Sequence, residues 1–148
     1  MQLDNRIFFL TADIGYGIFD SIERDFPNRF INVGASEQAL IGASVGLALS
    51  GNIPIAFTIT PFLLYRPFEF IRNYLNHEQI SVKLVGSGRN EDYSNQGFTH
   101  WASEDTDVMN VFQGIKCFYP NKKEELFDIA QDFFYNDKPC YLNLKRQG

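Results

Sequence analysis

The sequence predicts an α/β fold, a three-layer α/β/α arrangement with a mostly parallel sheet. Short runs rich in β-branched and aromatic residues alternate along the chain with stretches of helical periodicity, which is the pattern of repeated βα units. Several of the short runs are apolar on both faces, as strands are when helices cover both sides of a parallel sheet. The length of 148 residues fits a single domain over 1–148.

Each element has a local signal. The predicted strands are the apolar runs at residues 7–11, 30–33, 53–59, 82–86, 115–119 and 141–144. The predicted helices lie between them, at residues 17–25, 36–50, 66–76, 103–112 and 122–135. Gly51 suits the position after the second helix, and Pro67 suits the first turn of the third. Ser103, followed by two acids, suits the start of the fourth, and Pro120 precedes the amphipathic fifth.

Charge and apolar content argue against two classes of function. The net charge is −5 and the longest basic runs are pairs, so we expect no nucleic-acid binding. The apolar stretch 40–49 is too short to span a bilayer and contains glycine, so we expect no membrane insertion. Cys117 and Cys140 form neither a CxxC motif nor a ligand cluster, which predicts reduced core cysteines in a cytoplasmic protein.

The helix predicted at 36–50 carries a stripe of small side chains. They recur at helical spacings of three and four, at Ala39, Gly42, Ala43, Gly46 and Ser50. Glycine inside a helix costs up to about 1 kcal/mol relative to alanine, and its small size lets another backbone approach closely. Two interpretations stay open: close packing of the helix on its own sheet, and a helix–helix interface with another subunit.

Candidate site residues follow four of the predicted strands. Ligands of open α/β sheets gather at the carboxyl ends of the strands. That edge contains Asp13 and Ile14 after the first strand, residues 34–37 after the second, 60–65 after the third, and the loop 87–100 after the fourth. We therefore expect the functional site there.

Four motifs at this edge resemble those of the transketolase family. They are Thr-Ala-Asp-Ile-Gly at 11–15, Arg-Phe-Ile-Asn-Val-Gly-Ala-Ser-Glu-Gln at 29–38, the segment 62–66 with Ile-Arg-Asn at 71–73, and Thr-His at 99–100 with Glu-Asp at 104–105. The motifs agree with those of the family in order and spacing, and the resemblance covers nearly the whole chain. The sequence is thus similar to the pyrimidine-binding domain of that family, whose fold is the thiamine diphosphate-binding fold.

The resemblance implies thiamine diphosphate as cofactor and Glu37 as its activating, catalytic residue. In this family the cofactor lies between a pyrimidine domain and a diphosphate-binding domain, usually of different chains. A carboxyl group bonded to the aminopyrimidine favours the imino tautomer, whose exocyclic nitrogen can take the thiazolium proton. The cofactor carries the chemistry and the protein tunes its electronics.

The resemblance also implies further cofactor-binding residues. Phe62 and Tyr65 match aromatic positions that flank the aminopyrimidine ring, and Arg66 matches an arginine common in split members of the family. Asp13 and Ile14 match the loop of the first strand near the cofactor. Ordinary structural roles stay open for all but Ile14: core aromatics for Phe62 and Tyr65, an ion pair for Arg66, and a loop or helix cap for Asp13.

At the positions that bind substrate in the family, the sequence matches the family less closely. His100 matches a histidine that contacts substrate in transketolases, where it can donate or shuttle a proton. Residues 86–90 lack the histidine that helps these enzymes bind a sugar phosphate, and Gln96 replaces an acidic residue that reads a sugar hydroxyl. We predict an altered sugar site that includes Arg89, Gln96 and His100, with Arg89 as a replacement contact for an anion.

Two parts of a complete transketolase are not found in the sequence. There is no Gly-Asp-Gly motif with a distant asparagine, so we expect Mg²⁺ (or Ca²⁺) and the diphosphate to be held by a partner subunit rather than by any residue of this chain. We likewise expect no additional C-terminal domain of the family in this chain. The resemblance further implies self-association through the 36–50 helix region and a heterotetramer with two copies of each subunit (α2β2 in subunit notation).

The leading hypothesis is a subunit of a split thiamine diphosphate enzyme that transfers a two-carbon ketol unit to or from a sugar. An alternative is the beta-type subunit of a 2-oxo acid decarboxylase or dehydrogenase, which shares the cofactor and the glutamate. A third is a non-catalytic assembly module derived from a pyrimidine domain. Retention of Glu37, Phe62 and His100 together favours an active subunit over the third.

Overall fold

The computed structural model describes residues 1–146, so Gln147 and Gly148, the end of the predicted domain 1–148, lie outside the described residues. Six strands form one sheet in the order β2-β1-β3-β4-β6-β5, and every neighbouring pair is parallel. The strands are β1 (Ile7–Thr11), β2 (Phe30–Asn32), β3 (Ile53–Ile59), β4 (Lys83–Ser87), β5 (Lys116–Phe118) and β6 (Cys140–Leu144). The predicted α/β fold and its six strands are confirmed.

Helical segments connect the strands. They are α1 (Asp20–Asp25), α2 (Glu37–Leu49), α3 (Thr60–Tyr65), α4 (Phe68–Phe70) continued by a π-helical segment (Ile71–His77), α5 (Asp105–Asn110) and α6 (Lys123–Tyr135). Two 3₁₀ turns, Ser94–Gln96 and Phe98–His100, lie in the loop after β4. Within residues 1–146, none of these helices combines the length and apolar character needed to cross a bilayer.

Two hydrophobic cores lie on the opposite faces of the sheet. Since successive side chains of a strand point to opposite faces, Leu10 and Leu84 enter the larger core while Phe9 and Val85 enter the smaller one. The larger core also contains residues of α2, α3 and α5, and the smaller one contains residues of α1 and α6. This arrangement gives the three predicted layers.

The helix predicted at 66–76 has different bounds. It is preceded by a helix that was not predicted, α3, which begins at Thr60 directly at the end of β3 and has Pro61 in its first turn. Proline is tolerated there because the N–H groups of the first turn have no intrahelical acceptor. Helical structure resumes after Pro67, and its last turn is wide, since the amide of Glu78 donates to the carbonyl of Asn73 at 3.1 Å. The consequence is that α3 starts at the carboxyl edge of the sheet.

Candidate functional site

Glu37 is the first residue of α2, and its carboxylate is buried, with the side chain 2% exposed. Gly34, at φ +72°, lies between the end of β2 and this helix. Oε2 of Glu37 accepts a hydrogen bond from Nη1 of Arg66 at 2.7 Å, and Oε1 accepts one from Oγ1 of Thr58 at 3.4 Å. A carboxylate removed from water is costly unless donors satisfy it, so this position requires a polar partner in the pocket.

The guanidinium of Arg66 lies over an aromatic ring as well as beside the carboxylate. Its Cζ is 3.8 Å from the centroid of the Phe62 ring, which is cation–π geometry. Both residues follow β3. Phe62 lies in α3, and Arg66 comes directly after the last residue of that helix. The Arg66 side chain is 46% exposed, so this side of the group is open to solvent.

His100 completes the group. Its ring centroid is 4.9 Å from that of Phe62 in an edge-to-face arrangement and 6.2 Å from that of Tyr93. The Nδ1 atom lies 3.0 Å from Oγ1 of Thr99, which orients the imidazole. The structure therefore brings four of the predicted site residues together at the carboxyl edge of the sheet: Glu37, Phe62, Arg66 and His100.

Asp13 and Ile14 lie in the loop after β1. Asp13 is exposed and adopts φ +55°, a left-handed conformation that short polar residues tolerate. Its carboxylate accepts a hydrogen bond from the hydroxyl of Tyr16, and its amide donates to Oδ1 of Asn32 at 3.0 Å. The side chain of Ile14 packs against the smaller core, and its carbonyl accepts from Thr11 at 2.8 Å. The role of Asp13 and Ile14 in binding the cofactor stays a prediction.

Tyr65 and Gln96 are both exposed at the surface. Tyr65 is 42% exposed at the end of α3, and partial burial together with the neighbouring Glu104 carboxylate raises its pKa to about 12. Its phenol is therefore neutral at physiological pH. Gln96 ends the 3₁₀ turn Ser94–Gln96. An exposed phenol and an exposed amide are free to meet a ligand, and their assigned roles stay predictions.

Arg89 is placed differently from the anion contact that we predicted. It is buried, and its Nε and Nη2 donate at 2.7 Å to the side-chain and backbone oxygens of Asn143. Further bonds at 3.2 Å reach Oδ1 of Asn121 and the carbonyl of Pro120. In this conformation the guanidinium anchors the loop after β4 to β6. A substrate contact by Arg89 stays a prediction that needs these bonds to open.

A buried polar network below the site is not apparent from the sequence. The hydroxyl of Tyr141 and Nδ2 of Asn143 each donate to Oδ2 of Asp105 at 2.9 Å. Nδ2 of Asn143 also lies 3.2 Å from Oγ1 of Thr60, and a Cβ added at Gly86 would lie 2.6 Å from that hydroxyl. Burial raises the pKa of Asp105. The only sequence signals are polar residues in an otherwise buried strand and the Glu-Asp pair of the fourth motif.

The residues present fit a flat, nitrogen-rich ring. The guanidinium of Arg66 is planar and donates N–H bonds, and it already lies between the Glu37 carboxylate and the Phe62 face. An aminopyrimidine is likewise planar and offers nitrogen-bound hydrogens, so the same two groups can recognise it. For a metal, by contrast, residues 1–146 bring together no group of three or more His, Cys, Asp and Glu side chains.

Comparison with known proteins agrees with this chemistry. The sequence model of the family described as "Transketolase, pyrimidine binding domain" matches residues 1–148. The chain belongs to this transketolase family. Membership in this family implies dependence on thiamine diphosphate. In this transketolase domain the ion pair left open for Arg66 is formed with Glu37, whereas the hydrogen bond from Thr58 to Glu37 was not predicted.

Two curated relatives resemble this transketolase domain over most of its length. An uncharacterized 33.6 kDa protein in the fasciation locus of Rhodococcoides fascians is 31% identical over 99% of the chain and 47% of its own length. One of the subunits of apulose-4-phosphate transketolase from Actinobacillus succinogenes is 32% identical over 82% of the chain and 39% of its own length. The chain thus spans less than half the length of these relatives.

Solved structures agree on the fold. A split gene transketolase, described as an inactive beta4 tetramer, superposes with a TM-score of 0.85 at 30% identity, over 99% of this chain and 47% of that one. Transketolase from Campylobacter jejuni superposes with a TM-score of 0.84 at 20% identity, over 95% of this chain and 23% of that one. The relatives thus include a transketolase encoded by a split gene and a protein named as a transketolase subunit.

Proposed function

We propose that this chain is the pyrimidine-binding subunit of a split thiamine diphosphate enzyme that transfers a two-carbon ketol unit to or from a sugar. The observation that carries the proposal is the buried carboxylate of Glu37, which Arg66 links to the face of the Phe62 ring at the carboxyl edge of the sheet. The curated relative from apulose-4-phosphate transketolase, itself named as a subunit, supports both the sugar substrate and the subunit character.

Glu37 is the residue that activates the cofactor in this proposal. Thiamine diphosphate supplies a carbon that becomes a nucleophile when the thiazolium ring loses a proton. Glu37 would hold the far nitrogen of the aminopyrimidine and stabilise the tautomer that accepts this proton, while Phe62 stacks on the ring and fixes its orientation. Burial strengthens the hydrogen bond of Glu37, since water does not compete inside the pocket.

His100 would act on the substrate. Its imidazole is half-buried and adjoins the Phe62 face, so a molecule reacting next to the cofactor comes within reach of the ring nitrogens. An imidazole there can donate a proton to a developing alkoxide or accept one from a hydroxyl. Gln96 and Arg89, in the loop after β4, would help select the sugar, in place of the acidic residue and histidine of other family members.

The second subunit would bind the diphosphate and its Mg²⁺ (or Ca²⁺). The one split relative described as a tetramer of its beta chain is also described as inactive, which supports an active site completed between different chains. Cys117 and Cys140 are free thiols, which supports a cytoplasmic enzyme. We propose a heterotetramer with two copies of each subunit.

Self-association would use the exposed face of α2. Ala39, Ala43, Gly46 and Ser50 of the small-residue stripe are exposed. Gly42 differs, since a Cβ added there would lie 3.5 Å from the Phe70 ring. Gly42 thus packs against α4 of the same domain rather than against the sheet, and the four exposed small residues leave room for a second helix to approach closely.

The self-association is tested with Ala43→Leu and sedimentation of the chain alone. We expect this bulkier side chain to shift the protein toward monomer, whereas Gln131→Leu, on the exposed side of α6, leaves its mass unchanged. An unchanged mass for both variants would move the contact away from α2.

The function is tested by calorimetry of thiamine diphosphate with Mg²⁺, first with this chain alone and then with its diphosphate-binding partner. We expect binding in the mixture and turnover of a ketose donor. A mixture that assembles but binds no cofactor would favour the non-catalytic assembly module.

A further inference from the structure

Arg66 occupies the two groups that the proposed function assigns to the cofactor. Its Nη1 is bonded to Glu37 at 2.7 Å, and its Cζ is 3.8 Å from the Phe62 ring centroid. The only other hydrogen bond to the Glu37 carboxylate within residues 1–146 is the 3.4 Å bond from Thr58. A planar ring that stacks on this face of Phe62 and bonds this carboxylate needs the same space as the guanidinium.

The position of Arg66 allows it to leave. The residue lies between the end of α3 and Pro67, and its side chain is 46% exposed. An arginine stem has several freely rotating bonds, so its head can move into solvent while the backbone stays in place. The Glu37 side chain, by contrast, is 2% exposed and stays inside the pocket. Of the two charged partners, only the guanidinium has a direct path out.

The buried carboxylate of Glu37 and the face of Phe62 both need a partner when no ligand is bound. A buried carboxylate without a partner carries a large desolvation penalty, and an uncovered Phe62 face would be in contact with water. The guanidinium relieves both problems until a ligand arrives, because it is a cation, a planar donor and a stacking group at once. A lysine would supply the charge but neither the planar shape nor the stacking surface.

We propose that Arg66 is a displaceable placeholder: it pairs with Glu37 and covers Phe62 while the pocket is empty, and it moves out when the aminopyrimidine enters. The inference rests on the proposed function, since the displacing ligand is thiamine diphosphate. It differs from a direct cofactor contact by Arg66, because a placeholder lowers the affinity for the cofactor and a direct contact raises it.

The test compares the affinity of variants for thiamine diphosphate with Mg²⁺, in the assembled complex with the diphosphate-binding subunit. We expect Arg66→Met to lower the Kd about tenfold, the scale of one hydrogen bond to a charged group, because nothing then competes for Glu37. Arg66→Lys should have a smaller effect in the same direction. Arg72→Met is the matched control, since Arg72 is exposed one helical segment further on, and it should leave the Kd unchanged.

A second readout follows the arginine itself. In the ¹⁵N spectrum of arginine side chains, the Arg66 signal should move to the position of a solvent-exposed arginine when thiamine diphosphate is added to the wild-type complex. Thermal unfolding of each variant establishes that it is folded.

The outcomes separate the two proposals. A higher Kd for Arg66→Met, or an Arg66 signal that does not move on binding, would overturn the placeholder and leave the proposed function standing. No binding by the wild-type complex would overturn both.

Discussion

The carboxylate of Glu37 and the guanidinium of Arg66 are 2.7 Å apart, although 29 positions separate them in the chain. The topology brings them together. Glu37 starts α2 after β2, Arg66 follows α3 after β3, and β1 lies between these two strands in the sheet. The strand order reverses at β1, and such a switch point is where open α/β sheets bind ligands.

Replacing the stacking ring should weaken cofactor binding. Phe62→Ala removes the face beside Glu37 and His100, and stacking contributes about 0.5–1.5 kcal/mol beyond the area that the ring buries. We expect the Kd for thiamine diphosphate to rise about tenfold in calorimetry with the partner subunit. Phe127→Ala, at a ring that is 83% exposed, is the control. An unchanged Kd for Phe62→Ala would make Phe62 an ordinary core residue.

Removing one hydroxyl from the buried network should destabilise the fold. Tyr141→Phe leaves Oδ2 of Asp105 without one of its two donors at 2.9 Å, and an unsatisfied buried polar group costs about 1–3 kcal/mol. Urea unfolding should show a loss of that size. Tyr135→Phe, at an exposed tyrosine, should change stability little. Equal stability of Tyr141→Phe and wild type would mean that the network is not a stabilising one.

The titration of Asp105 should appear in the pH dependence of stability. Burial raises its pKa above 3.8, so the folded state holds this proton more tightly than the unfolded state does. The stability contributed by the group is complete below about pH 4 and is lost as the pH rises through the folded-state pKa. The free energy of unfolding of wild type, measured relative to Asp105→Asn, should therefore fall as the pH rises above about 4 and through the raised pKa of Asp105.

The control for this titration is in the same helix. Asp107 is exposed, and Asp107→Asn is the matched control for the substitution of a carboxylate by an amide in this helix. A constant difference between wild type and Asp105→Asn across the same range would contradict the assignment.

Most of the fold could be predicted because each strand carries its own signal. Strands β1 and β3 are rich in apolar, β-branched and aromatic residues, and both have the predicted bounds. The helix α3, directly after β3, was not predicted, because a proline such as Pro61 is compatible both with a break and with a first helical turn. The π-helical turn at 71–77 depends on packing against the rest of the domain, for which a single sequence gives no periodic signal.

The four sequence motifs identified the residues that form the site, but not the contacts of their side chains. Glu37, Phe62, Arg66 and His100 were found by position and do lie together. Their contacts could not be predicted from the sequence, because the partner of a side chain depends on its rotamer and on how elements that are far apart in the sequence pack together. The donation from Thr58 to Glu37 is one example, and the internal bonds of Arg89 are another.

The measurement that tests the central claim most directly is hydrogen–deuterium exchange at the thiazolium carbon of bound thiamine diphosphate, followed in wild type and in Glu37→Gln with the partner subunit. If Glu37 activates the cofactor, the variant should fold normally and exchange about 10²–10⁴-fold more slowly, the scale of a general acid–base group. Glu124→Gln, at an exposed glutamate in the first turn of α6, should exchange at the wild-type rate. Wild-type exchange in Glu37→Gln would contradict the account.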